Sequence, residues 1–169
     1  MGGNKNHALA MKAYLGLGSN IGDSRANISA TIEKLKKFGT VERVSSFFKT
    51  EPVGFAGQPW FLNCALVLET GLSPEALLVQ VKQIEKELGR TPAALNGPRA
   101  IDIDILLYGD VVLETDLLTI PHSRMHERRF VLAPLSEIAP DVMHSVLKKT
   151  IAKLLMELHD THRCERLLH

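Results

Sequence analysis

The apolar positions of this chain follow two spacings, which together predict a succession of short strands and amphipathic helices. Five runs have the length and composition of strands, and turns rich in glycine or proline separate most of them: residues 13–17, 41–48, 60–69, 101–107 and 111–113. Gly109-Asp110 joins the last two runs and favours a tight hairpin between them. The glycine-rich segment 16–22 is interpreted as the turn that follows the first strand.

Helical spacing of apolar residues occurs between the strands and again near the C-terminus. The first helix is predicted to begin at a cap formed by Asp23 or Ser24 and to end at Gly39. The second begins at Ser73-Pro74, where a capping side chain precedes a proline at the first helical position. The pattern predicts two further helices, over residues 130–139 and 150–159.

The element order is β-α-β-β-α-β, which is typical of the ferredoxin-like split motif. We therefore expect an α+β fold in which helices pack on an antiparallel sheet, with an extra hairpin strand and C-terminal helices. A single domain over residues 11–169 is expected, preceded by a flexible N-terminal extension over residues 1–10.

Composition and charge narrow the class of protein without identifying a function. The chain has 169 residues, of which 45% are hydrophobic and 23% charged, and its net charge is +1. This balance is ordinary for a globular protein and gives no support for a nucleic-acid or membrane partner. Its two cysteines lack metal-type spacing, which fits a reducing compartment. We expect a cytoplasmic monomer that acts on small molecules.

The most informative chemistry lies in Gly97-Pro98-Arg99, followed by Asp102 and Asp104 within an apolar run. In a strand, residues two apart point to the same face, roughly 7 Å from each other. Two carboxylates side by side repel unless positive charge lies between them. A magnesium ion carrying a polyphosphate is one explanation, and a strand with a solvated face is the other.

A basic segment follows the predicted hairpin. His122 and Arg128 lie in it together with Arg124 and Arg129. Arginine side chains suit the binding of phosphate, so the segment is a candidate phosphate-binding loop. A solvated basic turn is the alternative.

An aromatic and an amide two residues apart form a third candidate. Phe61 and Asn63 would share one strand face, an arrangement that can stack on a flat heterocycle and bond to its edge. Ordinary core packing is the alternative for Phe61 and also for Phe130.

Other common sites fit poorly. The glycines at 16, 18 and 22 miss the dinucleotide fingerprint, because the third comes one residue late. No phosphate-binding loop of the Walker type is present, and His122 and His126 lack the ligands that zinc would need.

Taken together, these segments resemble the 6-hydroxymethyl-7,8-dihydropterin pyrophosphokinase family of folate biosynthesis. The resemblance covers about residues 11–158, and its most specific element is the Gly-Pro-Arg-x-x-Asp-x-Asp motif. The matching segments are Gly18-Ser19-Asn20, Ser45–Thr50, Phe61-Leu62-Asn63, Glu85 with Gly89-Arg90, Gly97–Asp104, and Pro121-His122 with Arg128-Arg129-Phe130.

The resemblance implies transfer of diphosphate from ATP, the co-substrate, to the hydroxymethyl group of the pterin, with release of AMP. It implies that Asp102 and Asp104 hold two Mg²⁺ ions and that Arg90 and Arg99 join them as catalytic residues. By the same resemblance, ATP is bound by Lys82, Glu85, Arg90, Arg99, Ile105, Thr119, His122 and Arg128. The pterin is bound by Thr50, Val53, Phe61, Asn63, Asp102 and Phe130.

Some positions depart from the family pattern, and two other functions remain open. Pro92 and Asn96 replace an arginine and a tryptophan that are common in the family, which leaves the behaviour of the lid loop open. The general base is not assigned. The alternatives are a ferredoxin-like module that binds a ligand without chemistry and a nucleotidyltransferase, in which two aspartates follow a Gly-Ser turn more closely than here.

Overall fold

The computed structural model describes residues 9–54, 57–89 and 97–168. The strands are β1 (Met11–Ser19), β2 (Thr40–Val44), β3 (Phe48–Thr50), β4 (Phe61–Thr70), β5 (Asp102–Tyr108), β6 (Leu113–Glu114), β7 (Thr119–Ile120) and β8 (Cys164–Arg166). The helices are α1 (Ser24–Leu35), α2 (Pro74–Glu87), α3 (Arg129–Ile138) and α4 (Ile151–Met156), with a 3₁₀ turn over Met125–Glu127. Within these ranges no helix is long and apolar enough to cross a membrane.

The main sheet is antiparallel and has the order β5-β1-β4-β3-β8, with β2 pairing beside β3 along β4. Strand β1 therefore lies inside the sheet, between β4 and the edge strand β5. This arrangement confirms the predicted α+β, ferredoxin-like class.

The helices begin where the capping signals predicted. The Asp23 carboxylate accepts a hydrogen bond from the Ala26 N–H at 3.0 Å, and the Ser73 hydroxyl accepts one from the Ala76 N–H at 3.1 Å. Thr150 caps α4 in the same way through the Lys153 N–H at 3.2 Å. Each cap satisfies a backbone donor that the helix itself leaves unpaired.

The two faces of the sheet are covered differently. Helices α1 and α2 pack across one face, where Leu15, Leu17, Leu66 and Ile103 meet the apolar sides of both helices. Helices α3 and α4 pack on the other face, but against the half that carries Tyr14, Val67 and Leu107. The other half of that face, near the C-terminal end of β1, carries the polar residues of the candidate site.

The structure corrects two predicted elements and adds a strand that was not predicted. Residues 41–48 form two strands, because the chain leaves the sheet at Ser45, whose hydroxyl accepts the Ala65 N–H. The segment from Gly16 to Ser19 belongs to β1, since strands on both sides pair with it. The tail strand β8 was not predicted.

The predicted hairpin between β5 and the strand after Gly109 is also wrong. Strand β6 pairs with β7 in a separate two-stranded sheet. The outer edge of β5 bonds to other groups, because the Ile103 N–H donates to the Glu85 carboxylate at 2.9 Å and the Leu106 carbonyl accepts from the His122 N–H at 2.9 Å.

Candidate active site

A pocket lies on the half of the sheet that α3 and α4 leave uncovered. It brings together residues from β1, β3, β4, β5, the N-terminal end of α3 and the loops beside them. Those singled out from the sequence are Thr50, Val53, Phe61, Asn63, Arg99, Asp102, Asp104, Arg128 and Phe130. The pocket is also lined by Gly18, Glu51, Gly97 and Arg124, which were not among the predicted site residues.

The floor of the pocket is formed by β1 at Gly18, where the strand carries no side chain. Gly18 of β1 pairs with Asp102 on one side and with Asn63 on the other. A Cβ atom at this position would lie 2.5 Å from the Oδ1 atom of Asn63, which is too close for any real contact. Glycine therefore keeps an open floor between the carboxylates and the amide. The alternation of Gly16 and Gly18 was the available sequence signal, but it was assigned to a turn.

The carboxylates of Asp102 and Asp104 lie on this face, as the strand spacing predicted. Asp102 forms an ion pair with Arg99, whose Nη1 atom lies 2.9 Å from its Oδ1 atom. Asp104 faces His122, with 4.0 Å between Oδ1 and Nε2. Between them, the N–H of Ile103 is held at the strand edge by Glu85. Strand β5 thus presents both carboxylates from a backbone that is bonded on each side.

The ionised form of Asp104 is disfavoured in the pocket. Burial at the bottom of the pocket and the charge of Asp102 raise the pKa of Asp104 to about 7, although Arg128 and Lys82 act in the opposite direction. The side chain lines the pocket and still has 30% of its surface exposed. A group in this position gains stability when a cation binds beside it.

The donor set fits a hard divalent cation such as Mg²⁺. Carboxylate oxygens are the ligands such ions prefer. Among the described residues, no group of three or more His, Cys, Asp or Glu side chains could hold an ion by itself. An ion bound at this pair would therefore complete its shell with oxygens from water or from a ligand, as Mg²⁺ commonly does on polyphosphates.

The pocket wall that carries Arg124 and Arg128 is basic. The predicted residue His122 lies near Arg128 and bonds to the outer edge of β5, but it is not among the residues that line the pocket. Arg128 lies with its guanidinium carbon 5.6 Å from the centre of the Phe130 ring. Its buried Nε atom has no hydrogen-bond partner among the described residues. Burial and the nearby Arg128 charge lower the pKa of His122, so this imidazole is neutral at neutral pH. The fixed positive charge on this wall therefore comes from arginine, which suits an anionic ligand.

The third wall combines aromatic and amide groups. Phe61 and Asn63 share one face of β4, and the Nδ2 atom of Asn63 donates to the Thr50 hydroxyl at 2.6 Å. Phe130 reaches the same pocket from the first turn of α3. Two aromatic rings from different elements and an oriented amide are suited to a flat, polar heterocycle.

Asn20 links the loops around the pocket. Its Nδ2 atom donates to Gln58 Oε1 and to the Pro59 carbonyl, both at 2.9 Å. Its Oδ1 atom accepts the Arg99 N–H at 2.7 Å. Asn20 lies in the segment that the sequence assigned to a turn, but these contacts are long-range, so its side chain joins the loop before β4 to the loop before β5.

The remaining predicted residues do not line the pocket. Glu85 is 2% exposed and Ile105 is 4% exposed, and Ile105 lies in the core on the opposite face of the sheet. Lys82 contacts Glu85 at 3.4 Å, and Thr119 lies on β7. Arg90, Pro92 and Asn96 lie outside the described residues. The nucleoside contacts expected of this group stay predictions.

Comparisons with known proteins agree on one family. The family model for 7,8-dihydro-6-hydroxymethylpterin-pyrophosphokinase matches residues 14–140. A protein of Aquifex aeolicus named 2-amino-4-hydroxy-6-hydroxymethyldihydropteridine pyrophosphokinase is 44% identical over 144 residues, which is 85% of this chain and 90% of that protein. A Bacillus subtilis protein of the same name is 48% identical over 132 residues, or 77% of this chain and 79% of that protein.

Solved structures show the same fold at lower identity. The crystal structure of wild-type Plasmodium falciparum HPPK-DHPS superposes with a TM-score of 0.71 and 17% sequence identity. The superposition covers 88% of this chain and 44% of that one, so this chain spans less than half the length of that protein.

Proposed function

Since the chain belongs to the 7,8-dihydro-6-hydroxymethylpterin-pyrophosphokinase family, we propose that its pocket transfers diphosphate from ATP to the hydroxymethyl group of 6-hydroxymethyl-7,8-dihydropterin. It is an enzyme of the pyrophosphokinase class. One observation carries the assignment to this pocket: the Asp102–Asp104 pair and the Phe61–Asn63 pair lie on one open sheet face, separated by the side-chain-free Gly18.

The pterin is assigned to the aromatic and amide side of the pocket. Its ring would lie between Phe61 and Phe130, with Asn63 and the Thr50 and Val53 segment at its edge. Support comes from the Asn63–Thr50 hydrogen bond, which fixes the amide orientation before a ligand arrives. An amide fixed in advance loses little conformational entropy on binding.

The triphosphate is assigned to the basic side, against Arg99, Arg128 and His122. The unpartnered Nε atom of Arg128 supports this, since a buried donor without an acceptor is costly until a ligand supplies one. We add Arg124 to this group, because it lines the pocket beside Arg128.

Two Mg²⁺ ions are proposed to bind between the triphosphate and the carboxylates of Asp102 and Asp104. When bound, such ions neutralise phosphate charge and polarise the phosphoryl group under attack. The raised pKa of Asp104 supports a cation here, because burial and the charge of Asp102 disfavour its ionised form, which a cation would stabilise. Arg99 would keep Asp102 oriented through its ion pair.

In the proposed reaction, the hydroxymethyl oxygen bonds to the β-phosphorus as the bond from that phosphorus to the α,β-bridging oxygen breaks. The hydroxyl loses its proton, and AMP leaves with the bridging oxygen. The task of the protein is to hold the two substrates in line and to stabilise charge on the transferred group. Arg99 and Arg128 are placed for the second role, and Arg90 is proposed to join them from the segment before β5.

The nucleoside is proposed to lie at the outer edge of β5, near Lys82, Glu85 and Thr119. Ile105 is proposed to contribute only its backbone, because its side chain is buried in the core. For Glu85 the contacts support a positioning role. Its carboxylate holds the Ile103 N–H, so it positions the strand that carries both aspartates. We further propose that the protein acts as a cytoplasmic monomer.

The test is incubation of the purified chain with ATP, Mg²⁺ and 6-hydroxymethyl-7,8-dihydropterin, with nucleotide products separated by chromatography. We expect AMP in a one-to-one ratio with pterin diphosphate, and no AMP when EDTA replaces Mg²⁺. ADP as the product would contradict diphosphate transfer. Binding of both ligands without any product would favour the non-catalytic module instead.

A further inference from the structure

The chain returns to the pocket after α4. Residues 160–167, which we call the C-terminal strap, run from the beginning of α3 to the outer edge of β3. They lie beyond the region that the family model matches, which ends at residue 140. The strap contacts both sides of the pocket, and each contact involves the backbone of a pocket segment.

The first contact is at the N-terminus of α3. This helix has no side-chain cap of its own, since Arg128 at the capping position makes no such bond. The Asp160 carboxylate accepts the Arg129 N–H at 2.9 Å, and the Asp160 carbonyl accepts from Arg129 Nε at 3.3 Å. The residues on either side of Arg129, namely Arg128 and Phe130, line the pocket.

The Asp160 carboxylate is well held. Its side chain is only 8% exposed, and it also accepts the His162 N–H at 3.0 Å. Burial acts to raise the pKa of Asp160, but hydrogen bonds from the backbone of Arg129 and His162, together with the His162 side chain, outweigh it and lower the pKa. The strap therefore places a negative charge at the positive end of the α3 dipole, where it stabilises the helix start.

The second contact is on the opposite side of the pocket. The Glu51 N–H donates to the Arg163 carbonyl at 2.9 Å, and the Arg163 N–H donates to Glu51 Oε2 at 3.0 Å. Strand β8 then pairs with β3, with Cys164 opposite Thr50. Thr50, Glu51 and Val53 form this side of the pocket.

We propose that the C-terminal strap sets the separation of the two pocket walls, and that Asp160 is a positioning residue for the pterin subsite. This inference rests on the proposed function for the identity of the ligand. The strap joins the wall that carries Phe130 to the wall that carries Thr50 and Val53. Asp102 and Asp104 lie on β5, which the strap does not pair with. Arg128, which is assigned to the triphosphate, also lies next to the Asp160 contact, but the triphosphate is also assigned to Arg99 and the carboxylates of β5. The pterin subsite has strap contacts on both of its sides, so loss of the strap contact should affect the pterin more than ATP.

The test compares Asp160→Ala with the wild-type enzyme by kinetics and by amide hydrogen exchange. We expect the KM for the pterin to rise by about tenfold, in the range of a lost helix cap. The KM for ATP should change by less than about threefold, because Arg128 is only one of its proposed contacts and Arg99, Asp102 and Asp104 lie outside the strap. Exchange at the Arg129 and Phe130 amides should become faster, while exchange in β1 and β4 stays the same.

Two further variants separate positioning from general destabilisation. Asp160→Asn keeps an oxygen that can accept the Arg129 N–H, so it should recover most of the pterin affinity. Asp141→Ala removes an exposed carboxylate from the turn after α3 and should behave as wild type. If Asp160→Ala does not fold, Asp160→Ser replaces it with the same measurements.

The proposal would be overturned by equal rises in both KM values, or by an unchanged pterin KM with unchanged exchange at Arg129 and Phe130. Failure of the proposed function is a separate result, namely a wild-type enzyme that releases no AMP. In that case the exchange measurement alone decides whether Asp160 holds the start of α3.

Discussion

At the scale of single residues, the site depends on a side chain that is absent. Gly18 separates the carboxylates of β5 from the amide of β4, and a Cβ atom there would collide with Asn63 Oδ1. At Gly16, two residues earlier on the same face, the nearest atom to an added Cβ is Leu106 Cδ1 at 3.5 Å, an ordinary contact. A side chain at position 18 would therefore displace Asn63, whereas a small side chain at position 16 would fit.

We predict that Gly18→Ala lowers pterin affinity by at least about tenfold, because Asn63 must rotate and lose its bond to Thr50. The free energy of unfolding should fall by about 1–3 kcal/mol, as in other overpacked sites. Titration of the pterin by fluorescence and urea unfolding measure the two effects. Gly16→Ala is the matched control and should bind the pterin as wild type does. Equal losses in both variants would contradict this account of the floor.

Asp104 gives a pH prediction whose sign follows from its raised pKa. The pKa of Asp104 is about 7 in the folded protein, against an ordinary value of 3.8, so the native state binds this proton more tightly than the unfolded chain. The contribution of Asp104 to stability therefore falls as the pH rises from about 4 to about 7. This applies to the protein in EDTA, since a bound cation would oppose the effect.

We predict that Asp104→Asn, measured in EDTA, is more stable than wild type at pH 8 by about 2 kcal/mol. This value is smaller than the full pKa shift of Asp104 would give at ~1.4 kcal/mol per pKa unit, because partial exposure of the side chain weakens the interaction. The difference should shrink toward zero as the pH falls to 4. Urea unfolding across this range measures it, with Asp141→Asn as a control for the loss of one charge. A stability difference that does not change with pH would exclude this explanation.

The residue types of the site were predictable where local spacing decides which face they occupy. Asp102 with Asp104, and Phe61 with Asn63, share a face because strand geometry requires it. The roles of Gly18 and Asn20 were not predictable in this way, since both depend on strands and loops distant in sequence. A glycine pattern alone does not distinguish a turn from a strand that must approach other groups closely.

At the scale of elements, a prediction was correct where the sequence signal acts within the element itself, and wrong where pairing with a distant segment decides the structure. Helix starts were correct because Asp23 and Ser73 bond to N–H groups within their own first turns. The predicted hairpin after β5 was wrong because other groups already bond to the edge of β5 that the next strand would have paired with. Glu85 and the His122 backbone satisfy the outer edge of β5, which leaves β6 to pair with β7. Strand β8 has three residues and no periodicity, so only its pairing with β3 defines it.

This bonding at the edge of β5 leads to a prediction for Glu85. Replacement by alanine leaves the Ile103 N–H without its acceptor at a buried strand edge, which should cost about 1–3 kcal/mol of stability. Turnover should also fall, because Ile103 lies between the two aspartates. Glu85→Gln keeps an acceptor oxygen and should retain most of both properties. If alanine and glutamine variants were equally impaired, the negative charge rather than the hydrogen bond would be the property that matters.

At the scale of the whole molecule, the pocket is the meeting point of segments that the chain order keeps apart. Residues from β1, β3, β4 and β5 converge because the sheet order places β5 and β4 on either side of β1. The overall order was predictable from the succession of strands and helices, and the family resemblance supplied the reaction. The course of the C-terminal strap was not predictable, because its contacts join segments distant in sequence and each involves a backbone group, which carries little sequence signal.

The same convergence predicts that nucleotide binding and metal binding are coupled in the stability of the whole protein. Two carboxylates face the proposed triphosphate subsite, and only a cation between them and the phosphates removes the repulsion. A ligand stabilises the fold in proportion to RT ln(1 + [L]/Kd), so thermal unfolding reports its affinity. With ATP at about 100 times its Kd, stabilisation of about 2.7 kcal/mol is expected when Mg²⁺ is present. With ATP and EDTA the shift in Tm should nearly vanish.

In the double variant Asp102→Asn with Asp104→Asn the repulsion is gone, so the Tm shift produced by ATP should depend much less on Mg²⁺ than in wild type. A wild-type Tm that responds to ATP equally with Mg²⁺ and with EDTA would mean that the nucleotide binds away from the carboxylate pair.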